Sequence, residues 1–121
     1  MKESPQQRWR WYRTASGNAP VKDFLDDISA VDRAAIVAAM NEIRREGLGA
    51  ARRLDDDLWE VRAVGVKAHY RLIFAHEGRR VLLALDAFDK DSQRTPLRIL
   101  RRARQRLADW HQRAAESGSA L

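Results

Sequence analysis

The 121-residue chain contains no cysteine, which excludes disulfides, thiolate metal sites and cysteine nucleophiles. It also lacks an apolar run long enough to span a bilayer, and its first residues lack the apolar core of a signal peptide. We therefore expect a cytoplasmic protein with no membrane partner. Acidic residues are in the minority, 17 against 23 lysines and arginines, which gives a net charge of +6. This excess favours a polyanionic partner, with nucleic acid ahead of a membrane surface.

Several kinds of catalytic site are missing from the sequence. There is no dinucleotide-binding glycine pattern, no P-loop and no serine in a nucleophile elbow. The histidines at 69, 76 and 111 do not have metal-ligand spacing, and the acidic cluster Asp55–Asp57 has no matching second cluster. We therefore predict no metal and no cofactor, and a two-metal nuclease is disfavoured.

Strand character is concentrated between Leu58 and Phe88. Leu58–Val64 and Ala68–His76 alternate between polar and apolar residues, whereas Arg80–Phe88 is an apolar run typical of a strand buried on both faces. Arg8–Thr14 also alternates and is aromatic, so it predicts a first strand.

Three further segments show helical spacing, and we predict helices over Val21–Ile28, Asp32–Arg45 and Leu97–Ala115. Pro20 can occupy the first helical position, and either Ser29 or Asp32 can cap the second helix. Ala50–Asp57 is interpreted as a solvated connector, and Met1–Gln7 and Glu116–Leu121 as loose tails. Together these elements predict one α/β (α+β) domain over residues 1–121.

The turns set a register for the predicted sheet. A loop at Val66–Lys67 places Arg62 opposite Arg71. A loop at Gly78–Arg79 places Arg71 opposite Asp86 and His69 opposite Phe88. Both registers keep apolar residues on a shared face. The other face then collects Glu60, Arg62, His69, Arg71, Asp86 and Phe88, with Lys90 just beyond the strand end.

This cation-rich face is suited to cutting RNA without a metal, because the 2′-hydroxyl of RNA can itself attack the adjacent phosphate. Fixed arginines stabilise the dianionic phosphorane, and Lys90 or His69 could transfer protons. We expect Arg62 and Arg71 to lie side by side on an open polar face, so that replacing them leaves folding intact. The alternative is structural: Arg71 pairs with Asp86, and Arg62 pairs with Glu60.

The C-terminal segment is unusually basic, with seven arginines between positions 94 and 113 against one acid, Asp109. A charge run is often only a solvated face. Its single sign also favours contact with an anion, either RNA phosphates or an acidic segment of a binding protein. We predict such contacts for an exposed face that includes Arg98, Arg101 and Arg102.

The ordered motifs LWEVR (Leu58–Arg62), HYRLIF (His69–Phe74) and LLALDAFDKDSQRTP (Leu82–Pro96), followed by an arginine-rich helix, resemble phage-related HigB-type toxins of the RelE/ParE superfamily. The resemblance covers about Tyr12 to Trp110. It implies a RelE-like fold: a small twisted, mainly antiparallel sheet with two N-terminal helices and a C-terminal helix. It also implies a metal-independent mRNA endoribonuclease, often acting on the translating ribosome, and neutralised by a cognate helix-turn-helix antitoxin.

The resemblance carries catalytic roles to Arg62, Arg71 and Lys90, and it makes Phe88 a candidate base-stacking platform. We add a set of predicted RNA contacts on the same side of the molecule. These are His69, Lys67, Arg94, Arg98 and Arg101. The chain departs from the family pattern at Asp89, where a lysine is frequent, and at Arg94, where the change from lysine keeps the charge.

A second class of function remains open, because the superfamily also contains proteins that cleave no RNA. The chain could be a ParE-like inhibitor of DNA gyrase, or a relic of the fold that only binds RNA or its antitoxin. The placement of Arg62, Arg71 and Lys90 on one predicted face favours the ribonuclease.

Overall fold

Alternating polar and apolar residues build a five-stranded sheet with helices on both faces. A computed structural model describes residues 7–90 and 94–117. The elements are β1 (Arg8–Trp11), α1 (Pro20–Asp27), α2 (Ala30–Glu46), a 3₁₀ turn (Leu48–Ala50), β2 (Arg52–Arg53), β3 (Trp59–Val64), β4 (His69–Glu77), β5 (Val81–Lys90) and α3 (Leu97–Glu116). The strand order is β1-β5-β4-β3-β2, and among these described strands only the β1–β5 pair is parallel. The predicted mixed α/β class with a mainly antiparallel sheet is confirmed and is compatible with a RelE-like fold.

The predicted helices and strands are present with small shifts at their ends. Pro20 opens α1 as expected, and the Ser29 side chain caps α2 by accepting a hydrogen bond from the Asp32 N–H. The interpretation of Ala50–Asp57 as a solvated loop was wrong in part, because Arg52 and Arg53 form the short edge strand β2.

Most of the two predicted tails, residues 1–6 and 118–121, lies outside the described residues. At the described end of the first tail, Gln7 lies 3.1 Å from the ring of His76. At the other end, Glu116 is still helical. These two residues are therefore part of the ordered fold.

Two apolar layers sandwich the sheet. Helices α1 and α2 bury Val21, Leu25, Ile36, Met40 and Ile43 against one face. Helix α3 buries a narrower stripe against the other face, and this stripe consists of Ile99, Ala103 and Leu107. Full burial of each large aliphatic side chain contributes about 1.5–3 kcal/mol, so both layers hold the sheet firmly. The narrow α3 stripe leaves the end of its sheet face nearest the β3–β4 turn to polar residues.

The β3–β4 turn is fixed by a buried carboxylate in the first turn of α2. Asp32 accepts hydrogen bonds from the backbone N–H groups of Val66 (2.6 Å) and Lys67 (3.1 Å) and from the Tyr70 hydroxyl (2.6 Å). A Cβ added to Gly65 would lie 2.5 Å from the Asp32 carboxyl carbon, so only glycine lets the turn approach this closely. The turn thereby takes a single orientation relative to α2.

The predicted register of the first hairpin is confirmed, and that of the second is wrong. Arg62 lies opposite Arg71, as expected from a Val66–Lys67 loop. In the second hairpin, Arg71 lies opposite Phe88 instead of Asp86, and His69 lies opposite Lys90 instead of Phe88. The turn there has three residues, and a bulge between Ile73 and Phe74 adds one more on β5. Beyond the bulge the resulting shift is two residues, which leaves Asp86 and Phe88 on their predicted face.

Candidate nucleic-acid interface

Two adjacent rows of residues bring the predicted site together on the sheet face that α3 partly covers. Arg62, Arg71 and Phe88 form one row across β3, β4 and β5. His69 and Lys90 lie opposite each other in the next row, toward the β3–β4 turn. Residues two apart on a strand share a face, so both rows point the same way. The sheet therefore gathers the three predicted catalytic cations and the predicted stacking ring.

The two arginines share one buried carboxylate. Glu60 has no exposed side-chain surface and lies 3.2 Å from the Arg62 Nε and 3.4 Å from an Arg71 guanidinium nitrogen. The Thr95 hydroxyl donates to Glu60 (2.9 Å) and accepts from Arg71 (3.1 Å). The proposed Arg62–Glu60 pair is confirmed, whereas the proposed Arg71–Asp86 pair is wrong because Glu60 takes the place of Asp86.

The two arginines differ in their access to solvent. The Arg62 side chain is 47% exposed, whereas that of Arg71 is 1% exposed. The expectation that both lie on an open polar face is therefore wrong for Arg71. With its guanidinium bonded to Thr95, Arg71 belongs to the folded interior. We therefore now expect its loss to lower stability, because a buried carboxylate would lose one of its two paired cations.

Positive charge is in excess around Glu60. Arg52 on the edge strand β2 lies directly opposite Glu60, so three arginines surround one carboxylate. Burial lowers the pKa of Arg71; Glu60 opposes this effect, and the charges of Arg62 and Arg52 add to it. An anion bound beside the exposed Arg52 and Arg62 would interact favourably with their charges.

The rim of the face combines an aromatic ring with cations that reach solvent. Phe88 is half-buried and packs beside the α3 layer. Lys90 is half-buried, and His69 and Lys67 are exposed. Asp89, the departure from the family pattern, pairs with Tyr70 and so points to the opposite sheet face. It therefore does not place a carboxylate among the cations.

The positive charge of α3 is neutralised over part of its length, by Asp86 and Asp55 from other elements and by Asp109 within the helix. Asp86 accepts two hydrogen bonds from Arg102, at 2.7 and 2.8 Å, and lies 3.5 Å from Arg106. Arg104 pairs with Asp55, and Arg113 pairs with Asp109. Arg102 is therefore bonded to Asp86 while its side chain stays 44% exposed, and its contact with a partner stays a prediction. Arg94, Arg98 and Arg101 are exposed, as their predicted role requires.

Sequence reasoning missed Arg52 and the second ion pair of Glu60. Glu60 was placed on the right face but was not expected to be the shared, buried partner of both arginines. Arg52 was assigned to a loop, because a two-residue strand has no detectable alternation. The pairing of Arg52 with Glu60 depends on a contact between strands and left no signal in the sequence.

Neither a metal-ligand cluster nor a membrane-spanning helix is present within residues 7–90 and 94–117. No three acidic or histidine side chains there converge as a metal site. None of the described helices is both long enough and apolar enough to cross a bilayer.

Comparison with known proteins gives one family. No curated protein matches the chain. The profile of the family described as "Phage derived protein Gp49-like (DUF891)" matches residues 23–108. This range runs from α1 into the second half of α3, so it includes Glu60, Arg62, Arg71 and Lys90. Because the match spans well over half of the sequence, the chain belongs to the phage-derived Gp49-like family, which is consistent with the toxin-like proteins of toxin–antitoxin systems.

Proposed function

We propose that this protein is the toxin of a type II toxin–antitoxin pair, of the HigB type, and that it cleaves mRNA without a metal ion. One observation carries the proposal. The row formed by Arg62, Arg71 and Phe88 lies beside the His69–Lys90 pair on one sheet face. These residues supply a phosphate ligand, an aromatic platform and two proton-transfer groups next to one another.

Arg62 is the residue that meets the scissile phosphate. Its guanidinium is half-exposed, and its contact with Glu60 holds it in place, so little motion is lost when a phosphate binds. An arginine so placed can stabilise the charge that develops on the phosphorane oxygens. Arg71 is a positioning residue, because it is buried and acts by holding Glu60 and by adding positive charge beneath the phosphate.

The chemical step needs two proton transfers. The 2′-oxygen attacks phosphorus and loses its proton, the bond from phosphorus to the 5′-oxygen breaks, and that oxygen gains a proton. A 2′,3′-cyclic phosphate and a 5′-hydroxyl result. His69 and Lys90 are directly opposed, with Cβ atoms about 5 Å apart for such a pair, so one group can serve on each side of the phosphate.

The surrounding residues bind the rest of the message and the antitoxin. Phe88 stacks a base beside the scissile phosphate. Lys67, Arg94, Arg98 and Arg101 contact phosphates of mRNA, free or on the ribosome. An acidic segment of the cognate helix-turn-helix antitoxin covers the same cations and thereby blocks the site.

The decisive experiment is cleavage of mRNA by purified protein, with and without ribosomes, alongside a gyrase supercoiling assay. Arg62→Ala should reduce the cleavage rate by roughly 150- to 900-fold, because one transition-state donor contributes roughly 3–4 kcal/mol. Arg79→Ala is the matched control, since Arg79 is exposed in the β4–β5 turn at the other end of the strands. Undiminished cleavage by folded Arg62→Ala contradicts the proposal. Inhibition of supercoiling without RNA cleavage points to the gyrase-inhibitor class.

A further inference from the structure

A small cleft opens at the edge of the sheet, beside the proposed phosphate site. Strand β2 is only two residues long, because the chain before it turns through Leu48–Ala50 instead of continuing along β3. The space left between this turn and β3 has a volume of about 270 Å³. Its walls are formed by Gly49, Ala50, Ala51, Arg52, Glu60 and Arg62, together with Glu42 and Val61.

The charge of this cleft favours an anion. Arg52 is exposed and lies on the same face as Arg62, and no carboxylate of the described residues lies within ion-pair distance of it. The nearest acid across the strands, Glu60, is already shared by Arg62 and Arg71. Glu42 also lines the cleft, so its charge balances at most one of the cations.

The size and spacing of the cleft fit one unit of a nucleic-acid strand. Sites that enclose a whole drug-sized ligand usually measure about 300–1,000 Å³, so this cleft suits a single phosphate with its sugar. Gly49, Ala50 and Ala51 leave the space free of long side chains. Arg52 and Arg62 are diagonal neighbours across β2 and β3, a separation of about 7–8 Å. Two arginine side chains at that separation can contact neighbouring phosphates of one strand.

We propose that this edge cleft binds the phosphate and sugar of the nucleotide next to the scissile one, with Arg52 as the phosphate ligand. The inference rests on the proposed ribonuclease function and gives the RNA a direction across the sheet. The strand passes from Lys90 and His69, over Arg62, to Arg52. An acidic peptide would meet the same charges. RNA is favoured because the cleft shares Arg62 and Glu60 with the scissile-phosphate site and so continues it.

The test measures binding separately from cleavage. Fluorescence anisotropy is recorded with an RNA oligonucleotide made uncleavable by 2′-O-methylation at every position. Arg52→Ala should weaken binding about tenfold and reduce the salt slope by about 0.7, the value for one single-strand phosphate contact. Gly49→Leu should also weaken binding, because it fills the cleft without changing charge. Gly49 tolerates a side chain, since its φ is not left-handed and an added Cβ meets no atom within 4 Å.

The matched control is Arg53→Ala. Arg53 is the next residue of the same strand, points to the opposite face, and donates to the carbonyl oxygens of Asp55 and Asp56. The Arg53→Ala variant should bind RNA with an affinity within about twofold of the wild type. In cleavage assays, Arg52→Ala should raise KM for a long RNA and leave kcat unchanged. For a dinucleotide that carries only the scissile phosphate, Arg52→Ala should raise KM by a smaller factor, because that substrate has no neighbouring phosphate to contact Arg52.

The outcomes separate this inference from the function on which it rests. Equal RNA affinity of folded Arg52→Ala and Arg53→Ala overturns the cleft assignment even if the wild type cleaves RNA. The cleft assignment is also overturned if Arg52→Ala weakens binding of an oligoglutamate peptide and leaves binding of RNA unchanged. A wild type that binds RNA through Arg52 but never cleaves it overturns the ribonuclease and keeps the RNA-binding cleft. A wild type that binds no RNA overturns both.

Discussion

Replacing Arg71 should mainly lower the thermal stability of the fold, with a smaller direct effect on the cleavage step. The Arg71 and Glu60 side chains are 1% and 0% exposed, and they lie 3.4 Å apart. Arg71→Ala removes one partner and leaves the Glu60 carboxylate in the interior with Arg62 and Thr95. Loss of one partner of a buried ion pair typically costs about 3–5 kcal/mol. A domain of this size loses roughly 4 °C in Tm per kcal/mol, so we expect Tm to fall by about 12–20 °C.

Arg62→Ala is the matched comparison, because Arg62 binds the same carboxylate from the half-exposed side. An exposed or half-exposed ion pair contributes about 0–1 kcal/mol, so its Tm should fall by no more than about 4 °C. Thermal unfolding followed by circular dichroism measures both variants. Activity assays on Arg71→Ala are meaningful only below its own Tm.

A third variant tests the cause. Glu60→Gln combined with Arg71→Met removes both buried charges and should recover part of the stability lost in Arg71→Ala, because no unpaired carboxylate stays inside. If Arg71→Ala melts within about 2 °C of the wild type, the buried pair contributes nothing and the reasoning is refuted. If the double variant is less stable than Arg71→Ala, the orphaned charge is not the cause.

Three further predictions concern the hydrogen bonds by which Asp32 holds the β3–β4 turn and Tyr70. The hydrogen bond from Tyr70 is the main reason that the pKa of Asp32 is lowered, so its stabilising effect is present above about pH 4 and is lost as the pH falls further. Asp32→Asn should therefore lower Tm at pH 7 and make Tm fall less steeply between pH 4 and 2. If the decline of Tm over that range is the same as in the wild type, the Asp32 carboxylate does not stabilise the turn. The same bond raises the pKa of Tyr70 to about 12, so tyrosinate absorbance should show a late titration that disappears in Tyr70→Phe; a transition near pH 10 contradicts it. Gly65→Ala should cost about 1–3 kcal/mol in urea unfolding because its Cβ meets Asp32, whereas Gly49→Ala, where the space is open, should cost under 1 kcal/mol. Equal urea midpoints for Gly65→Ala and Gly49→Ala would contradict the close approach of Gly65 to Asp32.

The order of the elements follows from the sequence, because it depends on local patterns. Period-two alternation marked β3 and β4, and helical spacing with Pro20 and Ser29 marked the starts of α1 and α2. The two-residue loop at Val66–Lys67 then set the pairing of Arg62 with Arg71. These features need only a few neighbouring residues, so the face that carries the cations was also predictable.

Only the tertiary structure determined which charges meet. Glu60 and Asp86 each lie on the predicted face, and no local pattern tells which arginine each one binds. Because of the bulge in β5 and the position of α3, Asp86 pairs with Arg102. Arg71 pairs with Glu60 instead. Burial is decided in the same way, since Arg71 became interior through contact with a segment 24 residues later in the chain. The sequence by itself therefore determined the elements and the cationic face. Long-range packing determined which arginine is exposed and which is part of the core, because burial and ion pairing depend on residues that are distant in the chain.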